Sequence, residues 1–220
     1  MRHLPAFLLA LTLAAPLAAA TRPDVDALMN REGLQPIQVK NIDLAYARPG
    51  ASLAAYRRIQ LDPVLVEFSK RWDPERTGSR LKIGTQEREA LRAAVSRSVR
   101  EEFARELQAT GNYQVVAEAG PDVLRVTPRI FNLYLNAPDA GSVARTRTYY
   151  TSAGEMTLLA ELQDSTSNQT LMRFADRREA DNVRLERTNG MINEVEIRTL
   201  AGAWARVIRK ALDEAHGIQP

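Results

Sequence analysis

The chain has 220 residues, no cysteine, and 30 lysine and arginine side chains against 27 aspartate and glutamate side chains, for a formal net charge of +3. Disulfide staples, cysteine nucleophiles and thiolate metal sites are therefore excluded. Charges of both signs are interspersed as on a solvated surface, so a nucleic-acid partner is not expected. The two histidines, His3 and His216, lie near the two ends, and we predict no histidine catalysis, metal site or cofactor.

Residues 1–20 have the features of a cleavable signal peptide. Arg2 supplies a positive charge, an apolar stretch follows, and the alanines from Ala18 to Ala20 offer small residues to a signal peptidase. The alternative is a membrane anchor, but the apolar stretch is shorter than the ~20 residues that a span needs. We therefore expect a periplasmic or secreted protein without a lipid anchor. The remaining 29 basic and 27 acidic side chains are compatible with weak attraction to an anionic surface.

Residues 21–53 are predicted to form an irregular N-terminal arm, because Pro23, Pro36 and Pro49 interrupt short apolar pieces. Those apolar pieces indicate that the arm lies against the rest of the molecule. Residues 56–70 then have the alternation of a strand, and the apolar face switches at Asp62 and Pro63. This switch predicts a bulge or kink in the strand.

Residues 85–108 are predicted to form a helix that faces the core. Thr85 is a suitable N-cap, and Gly111 follows the end of the helix. The apolar side chains recur at a spacing of four and form a slanted stripe; they are Leu91, Val95, Val99, Phe103 and Leu107.

Two strands are predicted next, a short one over residues 113–116 and a longer one over residues 123–136. In the longer strand the apolar face changes between Ile130 and Phe131, and Pro128 has no N–H to donate to a neighbour. We therefore predict a bulge over residues 128–131.

Residues 152–179 are predicted to form a β-hairpin with a polar turn over residues 165–169. One face of the first arm is apolar, and Phe174 continues that face in the second arm. Arg173 and Arg177 take the opposite face. The apolar positions of the first arm are Met156, Leu158, Ala160 and Leu162. The hairpin thus has one dry side that other elements must cover.

A second long helix is predicted near the C-terminus. Asn193 and Glu196 have the spacing of a capping box. Arg206 and Arg209 are predicted to point outward. The apolar face consists of Ile197, Leu200, Trp204, Val207, Ile208 and Ala211.

Together these elements predict a single α+β domain over residues 54–216. We expect a mixed, mostly antiparallel sheet with two long helices packed on one face, in the order β-α-β-β-β-β-α, and the N-terminal arm wrapped around it.

Two groups of residues are candidates for a specific role. Asp176 has the parity of the buried face, and a half-buried carboxylate needs a partner such as Arg178. A structural ion pair is favoured for these two residues over a ligand contact. The second group mixes cations and aromatic rings that are enriched at interfaces, although an exposed strand face is the more common explanation. These candidate partner contacts are Arg145, Arg147, Tyr149 and Tyr150.

Five phrases of the sequence, YARPGASLAAYRRIQLDPVLVEFSKRW, PDVLRVTPRIFNLYLNAP, SAGEMTLLAELQDS, FADRREADN and WARVIRKALDE, resemble the family called domain of unknown function 3313 (DUF3313). They lie in the same order as in that family and extend over residues 46–214. The resemblance implies an exported envelope protein of a Gram-negative bacterium. Many members are lipoproteins, but this sequence lacks the cysteine that would be acylated, so tethering is not implied. The resemblance supplies no catalytic or binding residue.

The function that the sequence favours is a non-enzymatic binding or envelope-assembly module that acts through protein contacts at exposed strand edges. Its partner would be another envelope protein or a second copy of the chain. A carrier of a small apolar ligand or lipid is the alternative. A carboxylate-based hydrolase is less favoured, because no spacing of acids indicates a facing pair.

Overall fold

The computed structural model describes residues 29–72, 84–136, 152–179 and 191–218. The predicted signal peptide, the run from Arg145 to Tyr150 and the loop over residues 180–190 lie outside these ranges. Within them, a 3-10 turn at Arg31–Gly33 precedes eight strands and two long helices. The elements are β1 (Gln35–Ile37), β2 (Leu44–Ala47), β3 (Arg58–Leu61), β4 (Leu65–Phe68), α1 (Thr85–Leu107), β5 (Gln114–Val116), β6 (Val123–Asn136), β7 (Ser152–Asp164), β8 (Thr170–Glu179) and α2 (Met191–Ala215).

The eight strands form one mixed sheet in the order β1-β2-β8-β7-β6-β3-β5, and β4 pairs with β6 beyond the end of β3. The pairs β1–β2, β2–β8, β7–β8 and β6–β7 are antiparallel. The pairs β3–β5, β3–β6 and β4–β6 are parallel. The predicted α+β class with a mostly antiparallel sheet is confirmed. Neither helix in the described ranges combines the length and hydropathy that a membrane span requires.

The N-terminal arm is more regular than predicted, because it adds β1 and β2 to the sheet. In β2, Ala45 lies opposite Phe174 of β8 and Ala47 lies opposite Met172. The sheet therefore extends to the N-terminal side of residue 54. Short apolar pieces separated by prolines look irregular in sequence, yet each is long enough to continue the sheet by a few residues.

The strand predicted over residues 56–70 is divided into β3 and β4, which lie end to end along the longer β6. The break at Asp62 and Pro63 confirms the predicted kink. Asp62 N–H donates to the carbonyl of Val126 at 3.0 Å, so the backbone groups of Val126 face β3. Because these groups alternate along a strand, the backbone of Pro128 faces the same side, opposite the break between β3 and β4. Proline fits in this central strand because no strand needs its missing N–H there.

The irregularity in β6 lies closer to the C-terminus than the predicted bulge over residues 128–131. The register against β7 shifts between Phe131 and Tyr134, and Asn132 has a φ of 54°. Asparagine tolerates this left-handed conformation better than the β-branched or aromatic residues that precede it. The extra residue explains why the apolar face of the strand changes at this point.

Both helices pack on one face of the sheet, as predicted. The apolar stripe of α1 is buried, and so are Met156, Leu158, Ala160 and Leu162 of β7, each 0% exposed. In α2, Trp204 and Ile208 are each 1% exposed and belong to the same hydrophobic cluster. The opposite face of the sheet has a small apolar cluster around Met29, Leu159 and Ala175.

Three details of the helices correct the predictions. The N-cap of α1 is Gly84, whose N–H donates to Glu87 Oε2 at 2.8 Å, and Thr85 is already helical. Helix α2 begins at Met191, before Asn193. Arg209 does not point outward: its side chain is only 15% exposed, because it turns toward Glu106 of α1. Helical periodicity alone did not distinguish this inter-helix position from an exposed one.

Candidate docking edge at β4

Within the described ranges, the sheet has three outer edges, at β1, β5 and β4. An exposed strand edge presents unpaired N–H and C=O groups that a partner chain can pair with, unless the protein closes it. The three edges therefore need to be compared for the groups that they leave available.

At the edge at β1, a proline removes the central backbone donor. Arg48 N–H donates to the carbonyl of Leu171 on β8 at 2.8 Å. Backbone groups alternate along a strand, so those of Tyr46 also face β8, whereas those of Ala45 and Ala47 face β1. Gln35 lies opposite Ala47 and Ile37 lies opposite Ala45, so the backbone of Pro36 between them faces outward. Because proline has no N–H, the centre of this edge offers no donor to a partner strand.

The edge at β5 is closed by a side chain of α1's C-terminal cap. Gln108 Oε1 accepts a hydrogen bond of 3.1 Å from the outward N–H of Val115. With three residues, β5 is also short. A short edge whose central donor is already satisfied is a poor template for pairing.

At the edge at β4, two backbone carbonyls are covered by side chains of α1. Arg92 Nε donates to the carbonyl of Val66 at 2.9 Å, and Ser96 Oγ donates to the carbonyl of Val64 at 2.7 Å. In a strand, the N–H and C=O of one residue point to the same side, so Val66 N–H also faces outward. No strand within the described ranges pairs with this side of β4. Among the described residues, Val66 N–H therefore has no hydrogen-bond partner.

An open groove of ≈ 390 Å³ runs between this edge and α1. Its apolar wall is formed by Val64, Leu65 and Val66, and its rim includes Glu67 and Arg92. Leu65 is 53% exposed, one of two large apolar side chains that are exposed in the described part of the chain. A long apolar side chain beside an open edge is typical of a contact surface rather than of the core.

Stacked aromatic rings support the end of β4. The rings of Phe68 and Trp72 stack with centroids 4.3 Å apart, and Trp72 Nε1 donates to the carbonyl of Leu135 at 2.8 Å. The Arg92 guanidinium lies 5.6 Å from the centre of the Phe68 ring, and Arg88 lies 5.2 Å from that of Trp72. Cation–π contacts thus orient the arginine that covers Val66.

The charged side chains beside the groove differ in whether they form an ion pair. Arg92 forms an ion pair with Glu89, its neighbour one turn earlier on α1. Glu67 is exposed and forms no ion pair with another described residue. Within the described part of the chain, no cation therefore compensates the carboxylate of Glu67 next to Leu65.

The structure brings Asp176 and Arg178 together, with Arg178 Nε 2.5 Å from Asp176 Oδ2. The same oxygen accepts from Trp204 Nε1 at 2.7 Å, and Oδ1 accepts from the N–H of Asp43 at 3.1 Å. Asp176 is 2% exposed, and both of its oxygens are occupied by donors of the protein itself. This arrangement supports a structural role rather than a ligand contact. The other candidates, Arg145 to Tyr150, fall between the described ends of β6 and β7.

Several carboxyl groups in the described ranges have pKa values below their usual range. Hydrogen bonds from Thr166 and Ser167 hold the pKa of Asp164 well below its usual range. A hydrogen bond from Arg105 likewise lowers the pKa of Glu102, and a hydrogen bond from Arg58 lowers the pKa of Asp122. A general acid needs a raised pKa. No group of three or more histidines or carboxylates in the described ranges could hold a metal ion.

The sequence analysis did not identify the residues that form the β4 edge. The available signal was the pair Arg92 and Ser96, polar residues one helical turn apart that flank the apolar stripe of α1. Their relation to Val64 and Val66 depends on the way α1 returns along β4, which the periodicity does not reveal.

Comparison with known proteins identifies a family model. The model described as "Protein of unknown function (DUF3313)" matches residues 25–208. No curated protein matches the sequence.

Similar solved structures share little sequence with this chain. A PelC dodecamer from Paraburkholderia phytofirmans is 8% identical, covers 80% of this chain and 96% of that chain, and has a TM-score of 0.40. A putative neuraminyllactose-binding hemagglutinin homolog from Helicobacter pylori is 15% identical, with coverages of 83% and 91% and a TM-score of 0.38. A Xanthomonas campestris protein of the DUF330 family model is 11% identical, with coverages of 76% and 93% and a TM-score of 0.38.

Proposed function

For this chain, which belongs to the DUF3313 family of unknown function, we propose the role of an exported, non-enzymatic binding module that docks a partner protein at the β4 edge. The observation that carries the proposal is the contrast between edges. Pro36 and Gln108 leave the edges at β1 and β5 without a central donor, whereas the edge at β4 keeps an outward Val66 N–H beside an open groove. Of the three described edges, the one that keeps its central donor is the one suited to a partner strand whose carbonyls accept.

Export is part of the proposal. It is supported by residues 1–20, in which a positive charge is followed by an apolar stretch and then by small residues, as in a signal peptide. After cleavage the chain would act in the periplasm or outside the cell, where its partner would be another envelope protein or a second copy.

The groove is less suited to the alternative role of a lipid carrier. A carrier needs a concave, mostly apolar site that encloses its ligand. Here the apolar wall from Val64 to Val66 faces a rim with Glu67, Glu89 and Arg92, and the groove is open to solvent. The described carboxylates whose pKa values shift are all lowered, and this does not favour a hydrolase.

Photo-crosslinking in intact cells tests the proposal. A benzophenone amino acid is introduced at Leu65, and Val195, which is 61% exposed on α2, serves as the matched control. We expect Leu65 to capture one defined protein, identified by mass spectrometry, and Val195 to capture it at least tenfold less. Equal capture at both positions, or capture of none at Leu65, would refute docking at this edge. Co-purification of a lipid without a protein would favour the carrier.

A further inference from the structure

We propose that the segment bound at the β4 edge is an extended strand of the partner that pairs with Val66 and Phe68 and places a lysine or arginine opposite Glu67. This inference rests on the proposed function and specifies the chemistry of the partner.

The backbone groups of the edge favour an extended chain. Ser69 N–H donates inward to the carbonyl of Leu133 at 2.9 Å, so by alternation the N–H groups of Val66 and Phe68 both face outward. Donors two residues apart along a strand are spaced by about 6.6 Å, which matches the carbonyl spacing of another strand. The carbonyls of Val64 and Val66 already accept from Ser96 and Arg92. A partner must therefore supply carbonyl groups to the N–H groups of Val66 and Phe68, and an extended peptide has carbonyls at this spacing.

The side chains of the edge determine which residues the partner strand should carry. Leu65 and Glu67 are exposed and share one face of β4, whereas Val64 and Val66 are buried beneath α1. A paired strand would place its own alternate side chains directly beside these two. Arg129, the neighbour of Leu65, lies on β6 at the inner side. Glu67 is the charged side chain of β4 on the face that it shares with Leu65, and a basic side chain of the partner strand would complement it.

A second copy of the chain is less suited to this edge. Antiparallel self-pairing joins outward-facing residues, and the two registers that pair Val66 with an outward residue of the other copy's β4 place it opposite Val66 or opposite Phe68. The first register places Glu67 opposite Leu65, and the second places Glu67 opposite Glu67. Neither register compensates the charge of Glu67, and like charges directly opposite each other are destabilising.

Peptide binding to the full chain tests the inference. The probes are fluorescein-labelled peptides of seven residues, with alternating threonine and valine and a central lysine or glutamate. We expect the lysine peptide to bind at least fivefold more tightly in fluorescence polarisation, since exposed cross-strand charges have modest effects. In NMR spectra its binding should shift the amide protons of Val66 and Phe68 downfield. Methyl groups on the peptide nitrogens that face β4 should abolish binding, because they would hold the peptide carbonyls away from the N–H groups of Val66 and Phe68. Methyl groups on the nitrogens that face away should leave binding intact.

Two variants distinguish the roles of charge and fold. Glu67→Lys should reverse the preference, so that the glutamate peptide binds more tightly. Glu118→Lys, at an exposed position after β5, should leave the preference unchanged. Both positions are exposed, so both variants should keep the circular dichroism spectrum of the wild type.

Three results would overturn the inference: no charge preference, no effect of backbone methylation at either set of nitrogens, or a dimer in analytical ultracentrifugation that Leu65→Asp dissociates. If Leu65 still captures a partner protein in cells, such a result removes the basic strand and leaves the proposed function standing. If Leu65 captures no protein, the proposed function itself fails.

Discussion

Trp204 Nε1 donates a hydrogen bond of 2.7 Å to Asp176 Oδ2, and this bond joins α2 to β8 inside the core. The indole is 1% exposed and the carboxylate 2%. Because the other carboxylate oxygen accepts from the N–H of Asp43, one side chain holds the C-terminal helix, the sheet and the N-terminal arm together.

Removing the indole donor should destabilise the protein. We expect Trp204→Phe to lower the free energy of unfolding by about 2 kcal/mol, since hydrogen bonds to charged groups contribute about 1.5–3 kcal/mol. Trp72→Phe removes a donor to the neutral carbonyl of Leu135 and should cost about 1 kcal/mol. Urea denaturation followed by circular dichroism measures both. An equal or larger loss for Trp72→Phe would contradict the special role of Asp176.

The contact between the helices contains a buried glutamate that accepts two arginines of α2. Glu106 is 5% exposed, and its oxygens lie 3.3 Å from Arg206 Nη1 and 3.3 Å from Arg209 Nη2. Glu106→Ala should cost about 3 kcal/mol of unfolding free energy, because it removes a buried ion-pair partner and leaves the largely buried Arg209 with Asp213 alone. Glu101→Ala breaks the exposed pair with Arg198 and should cost less than about 1 kcal/mol. Chemical denaturation of the two variants should separate them clearly; similar losses would show that the buried pair has no special weight.

Gly202 allows α2 to approach Glu102 of α1. A Cβ at this position would lie 2.8 Å from Glu102 Oε1, and Glu102 is buried and hydrogen-bonded to Arg105. Alanine normally stabilises a helix interior by about 1 kcal/mol relative to glycine. Here we expect Gly202→Ala to lower the thermal midpoint. In the Glu102→Ala background the same change should raise it, and an unchanged sign in the two backgrounds would rule out the steric explanation.

Asp164 should make stability depend on pH at the acidic end. Its lowered pKa means that its stabilising contribution is complete above the unfolded value of about 4 and is lost as the pH falls through the folded value. Asp164→Asn should therefore show a smaller loss of unfolding free energy between pH 4 and pH 2 than the wild type. At pH 7 it should be about 2 kcal/mol less stable.

The hydroxyl of Thr166 provides a graded control for Asp164, because it donates to Asp164 Oδ1 at 2.6 Å. Thr166→Val should give a pH slope between those of the wild type and Asp164→Asn in denaturant titrations at each pH. Burial and the hydrogen bond to Asp164 raise the pKa of Tyr56 to about 12, and Asp164→Asn should lower it in a spectrophotometric titration. Identical slopes in all three proteins would exclude Asp164 as the titrating group.

The candidate site was only partly accessible to sequence analysis. The suggestion that strand edges dock a partner came from the sequence, but the sequence singled out Arg145 to Tyr150, not the residues of β4. The groups at the β4 edge are backbone atoms, and their availability depends on which neighbours are present. Arg92 and Ser96 are ordinary helix-surface residues in sequence and acquire their role only by reaching Val66 and Val64.

The sequence by itself determined the class of fold and the faces of its elements. Alternation in β7 and the spacing of four in α1 report which side of each element is apolar, and burial of those sides in one core leads to a sheet covered by two helices. Tertiary structure decided which strands become neighbours. Because β6 has 14 residues and β3 and β4 have four each, two short strands share its side, and β5 covers only β3. Strand lengths and long-range pairing, rather than local periodicity, leave β4 at an edge.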